Sequence, residues 1–151
     1  NNRTFHVLKF RSMRHDQEQQ AGIVQAKRDD PRITRVGGFI RRTSIDELPQ
    51  FLNVLAGDMS IVGPRPHAPS TRAGGRLFSD GVSSYAPRHR VKPGITGWAQ
   101  VHGWRGETHT EDQLIQRLEH DLYYIENWSL LIDLYIIMRT GLLVVSDRNA
   151  Y

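Results

Sequence analysis

Two carboxylates stand side by side, Asp46 and Glu47, in the stretch RRTSIDELPQFLNVL that runs from residue 41 to 55. Arg41 and Arg42 lie just upstream and Pro49 just after. Successive residues on a helix point about 100° apart, so the two acids face different directions. One can hold a metal while the other faces a substrate. A carboxylate is a competent nucleophile toward phosphorus and forms an acyl phosphate. Phosphoryl chemistry also needs cations to absorb spreading negative charge. Arg41 and Arg42 supply them locally. Arg65 lies in GPRPH, where the flanking prolines restrict the backbone and set a guanidinium fork. Lys9 and Arg11 of KFRSM add further positive charge. Mg²⁺ suits such a site, because it takes one or two carboxylates together with substrate phosphates.

A purely local reading competes with this chemistry. Ser44-x-x-Glu47 has the form of a capping box, in which Glu47 reaches back to the amide of a capping Ser44. Acids in a first turn also suit the helix dipole, by some 0.3–1 kcal/mol. That accounts for Glu47 better than for Asp46. An arginine between prolines is commonly a surface turn, and KFRSM reads equally as an ordinary half-exposed strand. His67 and His102 read as polar packing residues, since no metal-ligand spacing surrounds them. Trp98, Trp104 and Trp128 read as core or interface anchors. The chain has no dinucleotide glycine fingerprint, no P-loop and no serine nucleophile elbow.

Behind these residues stand the elements that position them. Residues 4–13, TFHVLKFRSM, alternate apolar and polar side chains and predict a strand. Residues 14–31 are polar and predict a loop or loose helix. Residues 32–40, RITRVGGFI, lead into the acidic pair, with a turn permitted by Gly37 and Gly38. Ile45, Leu48, Leu52 and Leu55 recur at spacings of three and four, predicting a helix over 44–55. GDMSIVGPRPHAP predicts an ordered loop, and residues 70–86 an excursion. VKPGITGWAQVHGW predicts short strands and turns. Residues 110–126 form an amphipathic helix with Leu114, Leu118, Leu122 and Ile125 on one stripe. The last helix, WSLLIDLYIIMRTGLLVVS, is apolar nearly all round, with Ser129, Asp133 and Thr140 on one narrow face. It reads first as a core helix. Asp133 and Arg139 oppose a simple membrane span, each costing about 3 kcal/mol at the bilayer centre on insertion scales. A helix lying at a membrane interface is the alternative.

The chain has 151 residues, enough for one domain with its own core. Hydrophobic residues make up 38% and charged residues 24%, which excludes a disordered tail. Twenty Lys and Arg against sixteen Asp and Glu leave a formal charge of +4, favouring an anionic partner. The absence of cysteine excludes disulfides and thiolate metal sites. The elements together predict an α+β fold: a compact, helix-rich domain with a small β-hairpin or sheet and interfacial amphipathic helices.

Four blocks of this chain, in order, carry a resemblance. KFRSM, DPRITRVGGFIRRTSIDELPQFLNVLAGDMSIVGPRPHA, VKPGITGWAQVHGWRGET and HDLYYIENWSLLIDLYII resemble the catalytic domain of bacterial monotopic phosphoglycosyl transferases. Among these it looks like the undecaprenyl-phosphate glucose or galactose phosphotransferases. The resemblance implies transfer of a hexose 1-phosphate from a UDP-sugar to polyprenyl phosphate, releasing UMP and starting exopolysaccharide assembly. It implies that Asp46 is the nucleophile of a covalent phosphosugar intermediate and that Glu47 binds Mg²⁺. Arg41, Arg65 and Lys9 match family phosphate-binding positions. Arg11, Arg90 and Lys92 are expected to add phosphate contacts, and Arg105 and Glu107 sugar or nucleotide contacts. The implied partners are a UDP-sugar, polyprenyl phosphate and the cytoplasmic face of the bacterial inner membrane, with no nucleic acid; a homo-oligomer is among the assemblies it allows. Family members carry a membrane-dipping helix before KFRSM, so residues 1–151 are read as a catalytic domain without that N-terminal part. STRAGGRLFSDGVSSYAPRH departs from the family form. Two non-enzymatic readings stand against this one, a basic module docking on acidic lipid and a membrane-anchoring scaffold built on the last helix.

Overall fold

A computed structural model describes residues 4–14, 30–67, 72–73, 76–77, 90–105 and 110–146. Helix α1 spans Arg35–Arg42, a 3₁₀ turn Ile45–Glu47 and α2 Gln50–Leu55. Strands β1 (Ser60–Val62), β2 (Arg72–Ala73), β3 (Arg76–Leu77) and β4 (Gly94–Thr96) follow. Helices α3 (Trp98–Val101), α4 (Glu111–Glu126) and α5 (Leu130–Ser146) complete the order. β1 and β4 pair in parallel, Ser60 opposite Gly94 and Val62 opposite Thr96. β2 and β3 pair antiparallel. The fold is α+β and helix-rich, as expected. The polar segment 14–31 and the excursion 70–86 fall almost wholly outside the described residues.

Val62, Val101, Tyr124 and Ile136 form the core, with Trp98, Ile125, Ile132 and Leu143 packed against it. One residue thus comes from each of β1, α3, α4 and α5. α4 follows its expected stripe: Leu114 and Leu118 are buried, and Leu122 and Ile125 partly so. Thr110 and Gln113 form a reciprocal capping box at its start.

The helix expected over 44–55 is broken. Pro49 has no amide hydrogen to bond the Ile45 carbonyl, which accepts instead from Leu48 at 3.1 Å. The result is a 3₁₀ turn followed by a separate short helix. The capping box at Ser44 does not form: Ser44 has φ 58°, in the left-handed region, and its side chain caps nothing. Gly37 and Gly38 lie inside α1 rather than in a turn. Gly37 is small for a packing reason, since a methyl there would sit 1.9 Å from the Ser12 carbonyl oxygen. Strand β1 and helix α3 arise where a loop and short strands, respectively, were expected.

The strand expected over 4–13 is extended chain without a ladder, apart from a single bridge between Met13 and Ile33. A side chain replaces the neighbouring strand. Buried Asn53 of α2 accepts from the Leu8 amide and donates to the His6 carbonyl, both at 2.9 Å. The Phe10 amide donates to the Asp46 carbonyl at 3.0 Å. These bonds lay residues 6–10 against the acidic turn.

The last helix is turned inside out relative to a core helix. Among its described side chains Ile136 is the one fully buried apolar residue, whereas Leu131 is 77% exposed, Leu130 68%, Met138 65% and Leu142 64%. Its polar positions point inward. Asp133 accepts from the Tyr124 hydroxyl at 2.8 Å and the Trp128 indole at 3.2 Å. Thr140 pairs with Thr96 of β4 at 2.6 Å. Among the described residues, no helix is long and apolar enough to cross a membrane.

Candidate active site

The site begins where the 3₁₀ turn carries Asp46 and Glu47 inward, leaving them 6% and 8% exposed. Burying two adjacent acids costs several kcal/mol per ion unless cations compensate. Glu47 is compensated directly. Lys9 donates to its Oε1 at 2.9 Å, and Arg65 forks across both oxygens, with the Oε2 contact at 3.3 Å. Burial alone would raise the Glu47 pKa. The Arg65 guanidinium, followed by Lys9, outweighs burial and pulls it down to about 2. Glu47 is therefore a firm anion at neutral pH.

Asp46 has no such clamp. Burial, and next the charge of Glu47, raise its pKa above the ordinary 3.8, against the opposing pull of Lys9, Arg41 and Arg65. The neighbours thus divide into a fixed anion and a desolvated, more basic carboxylate, the property a nucleophile needs. Arg41, at the end of α1, also contacts the Met13 sulfur at 3.6 Å.

Backbone contacts hold Arg65 in place. The Gly63 amide donates to the Thr96 carbonyl and the Gly94 amide to the Pro64 carbonyl, both at 2.9 Å. This crossing demands glycine: a methyl at Gly94 would lie 2.1 Å from the Gly63 nitrogen, and one at Gly97 2.3 Å from the Gly63 oxygen. The start of the GPRP loop is thereby fixed to β4, and Arg65 with it.

The expected site residues separate into groups. Lys9 and Arg65 meet Glu47, and Arg41 acts electrostatically on Asp46. Arg105 reaches back to donate to the Ser44 hydroxyl, two residues before Asp46. Arg11 is exposed and forms no ion pair with the acids. Arg90 is exposed, and the Lys92 ammonium lies beside Gly57, just past the end of α2. Glu107 lies outside the described residues. Ser44 and Asn53 were missed as positioning residues. A polar residue between Leu52 and Val54 was the available sign for Asn53; the conformation of Ser44 had none.

Beside Glu47 opens a cavity of about 210 Å³, bounded by the acidic turn, α2, β4, α3, Arg105 and α5. No cluster of three or more His, Cys, Asp or Glu suited to a metal occurs among the described residues. Glu47 by itself offers a single hard carboxylate donor of the kind Mg²⁺ takes.

A sequence model of the bacterial sugar transferase family matches residues 1–147. The chain is 55% identical over its whole length to an undecaprenyl-phosphate glucose phosphotransferase of Komagataeibacter xylinus, covering 28% of that protein. It is 52% identical over 96% of its length to a UDP-glucose:undecaprenyl-phosphate glucose-1-phosphate transferase of Escherichia coli, covering 30%. It is also 48% identical over 92% of its length to a UDP-N-acetylgalactosamine-undecaprenyl-phosphate N-acetylgalactosaminephosphotransferase of Aeromonas hydrophila, covering 31%. The chain thus spans under a third of each of these relatives. With its buried acid pair, its cationic clamp and a match over nearly all its residues, the chain belongs to the bacterial sugar transferase family.

Proposed function

We propose that this chain is the catalytic part of an enzyme that moves a hexose 1-phosphate from a UDP-sugar to polyprenyl phosphate, the first step of building an exopolysaccharide. The names of its relatives support both substrates, and two of the three name glucose. UDP-glucose is the donor expected here.

In the first half of the reaction, a carboxylate oxygen of Asp46 attacks the β-phosphorus of the UDP-sugar. The bond from that phosphorus to the bridging oxygen breaks, and UMP leaves with the electron pair. In the second half, an oxygen of the polyprenyl phosphate attacks the same phosphorus. The acyl-phosphate bond breaks and Asp46 is restored. Lys9, Arg41 and Arg65 bear the phosphate charge during both displacements. Glu47, ionised at neutral pH, would hold Mg²⁺ together with diphosphate oxygens. The metal would supply charge neutralisation at the leaving phosphate. Lys9 and Arg65 keep Glu47 anionic and in place until substrate arrives.

The outward leucines of α5, with Leu48, Leu52 and Leu55 around α2, offer an apolar surface for the cytoplasmic face of the inner membrane. That placement would bring the site to its lipid substrate.

The observation that carries this reading is the arrangement of two buried neighbouring acids, Glu47 clamped by Lys9 and Arg65 and Asp46 left outside that clamp. The test is intact-mass analysis after incubation with Mg²⁺ and, separately, UDP-glucose, UDP-galactose or UDP-N-acetylgalactosamine. A gain of one sugar phosphate, absent in Asp46→Asn, is expected with UDP-glucose. Salt-sensitive lipid binding that survives Asp46→Asn, with no adduct from any donor, would favour the non-enzymatic docking module.

A further inference from the structure

The cavity beside Glu47 has a mostly apolar lining that includes two charged residues. Glu47 and Arg105 are the charged residues of its lining. Its apolar lining comes from Leu48 and Phe51 at α2, Ile95 of β4, Val101 of α3 and Leu143 of α5. The wall hydroxyls are already engaged. Thr140 donates to the Ile136 carbonyl at 2.7 Å, so the short Thr96 contact is a donation to Thr140. Thr43 bonds the Phe39 carbonyl at 3.0 Å. Gln100 gives one of its two amide hydrogens to the Ile95 carbonyl at 3.3 Å, and its Oε1 lacks a partner. A sugar, with a ring of hydroxyls to satisfy, meets few polar groups along this mostly apolar wall. A hydrocarbon finds what it needs.

Two wall residues also belong to the exterior. Leu48 is 52% exposed and Phe51 45%, on the same part of the molecule as Leu52 and Leu55. The lining of the cavity therefore combines charged residues of the site with side chains of the apolar outer surface. This is the form required by an amphiphile with an anionic head and a hydrocarbon tail.

We infer that this cavity is the acceptor subsite: it holds the isoprene units nearest the phosphate of the polyprenyl phosphate, with Arg105 at the head group and Phe51 and Leu143 gripping the chain. This rests on the function proposed above and adds the place where the acceptor binds. It assigns α5 a part in choosing the acceptor, so that the enzyme reads the first isoprene units as well as the phosphate.

The test is photolabelling of the native protein in detergent with a polyprenyl phosphate carrying a diazirine in its first isoprene unit. Labels are expected on the peptides holding Phe51 and Leu143, displaced by excess unlabelled undecaprenyl phosphate and not by phospholipid. Labels elsewhere, or labels displaced equally by phospholipid, overturn the inference. Labelling needs no turnover, so it answers even if no sugar is transferred, an outcome that would sink the proposed function alone. Phe51→Trp and Leu143→Trp fill the cavity from α2 and from α5. Each should raise KM for the polyprenyl phosphate by about tenfold, the equivalent of some 1.4 kcal/mol, with no matching rise in KM for the UDP-sugar. An unchanged acceptor KM in both variants, or equal rises for both substrates, would also overturn it.

Discussion

The Arg105 guanidinium donates to the hydroxyl of Ser44 across 61 positions of sequence. Ser44 holds φ 58°, the one positive value at a non-glycine residue among the described residues. Such a conformation costs of order 1 kcal/mol or more and persists only where its surroundings impose it. The contact thus ties the loop after α3 to the turn that presents Asp46.

Ser44 can be varied to separate backbone from side chain. Ser44→Gly relieves the backbone and should hold stability within about 1 kcal/mol of wild type. Ser44→Val, β-branched, should lose about 2 kcal/mol or more in urea melts. Both lose the Arg105 contact, so both should slow transfer.

Asp46→Asn should abolish transfer while making the protein more stable. The folded-state pKa of Asp46 is raised, so the fold favours its neutral form. Its contribution to stability is full below the unfolded value of 3.8 and is lost as pH rises through the folded value. An asparagine avoids that loss. Thermal melts should place the variant above wild type at pH 7, with the gap closing near pH 4. In wild type, rate should fall on acidification through a pKa above the usual aspartate range, because only the anion attacks phosphorus.

Glu47→Gln should behave in the opposite sense. Removing the anion leaves Arg65 and Lys9 facing a neutral group in a buried site, a loss of about 3 kcal/mol at pH 7. The pKa of Glu47 is depressed from 4.5 to about 2. Its contribution is full above 4.5 and disappears as pH falls through about 2. Denaturant midpoints of the two proteins should therefore converge over that acidic window.

Asn53→Leu keeps the volume and removes both bonds to the N-terminal segment. Hydrogen exchange at the Leu8 amide should rise by an order of magnitude or more, since one bond is worth about 1–1.5 kcal/mol. Lys9 then loses its support, and KM for the UDP-sugar should rise.

What the sequence revealed and what it withheld divide along one physical line. The 3.6-residue period of Leu114, Leu118, Leu122 and Ile125 is a local property, and α4 follows it closely. The acid pair and the arginine between prolines were legible as residue types with a shared chemistry. The break at Pro49 was equally local, and the leucine period drew attention away from it. Asn53 standing in for a strand, and β1 pairing with β4 across the intervening chain, depend on partners far away in sequence. α5 was ambiguous by composition: an apolar helix reads as core or as a helix at a membrane interface, and only the tertiary contacts show Asp133 and Thr140 inside and the leucines outward.

The parallel contact of β1 with β4 carries a consequence for engineering. The Ser60 amide meets the Pro93 carbonyl and the Gly94 amide meets the Pro64 carbonyl, so the chain leaves and re-enters at a single clasp. Whatever lies between Arg65 and Lys92 is a cassette whose ends are already fastened. Exchanging its middle between homologues should leave the clasp shut, provided Gly63, Gly94 and Gly97 stay as its hinge pins. That makes this segment a natural unit for exchange without rebuilding the acidic turn.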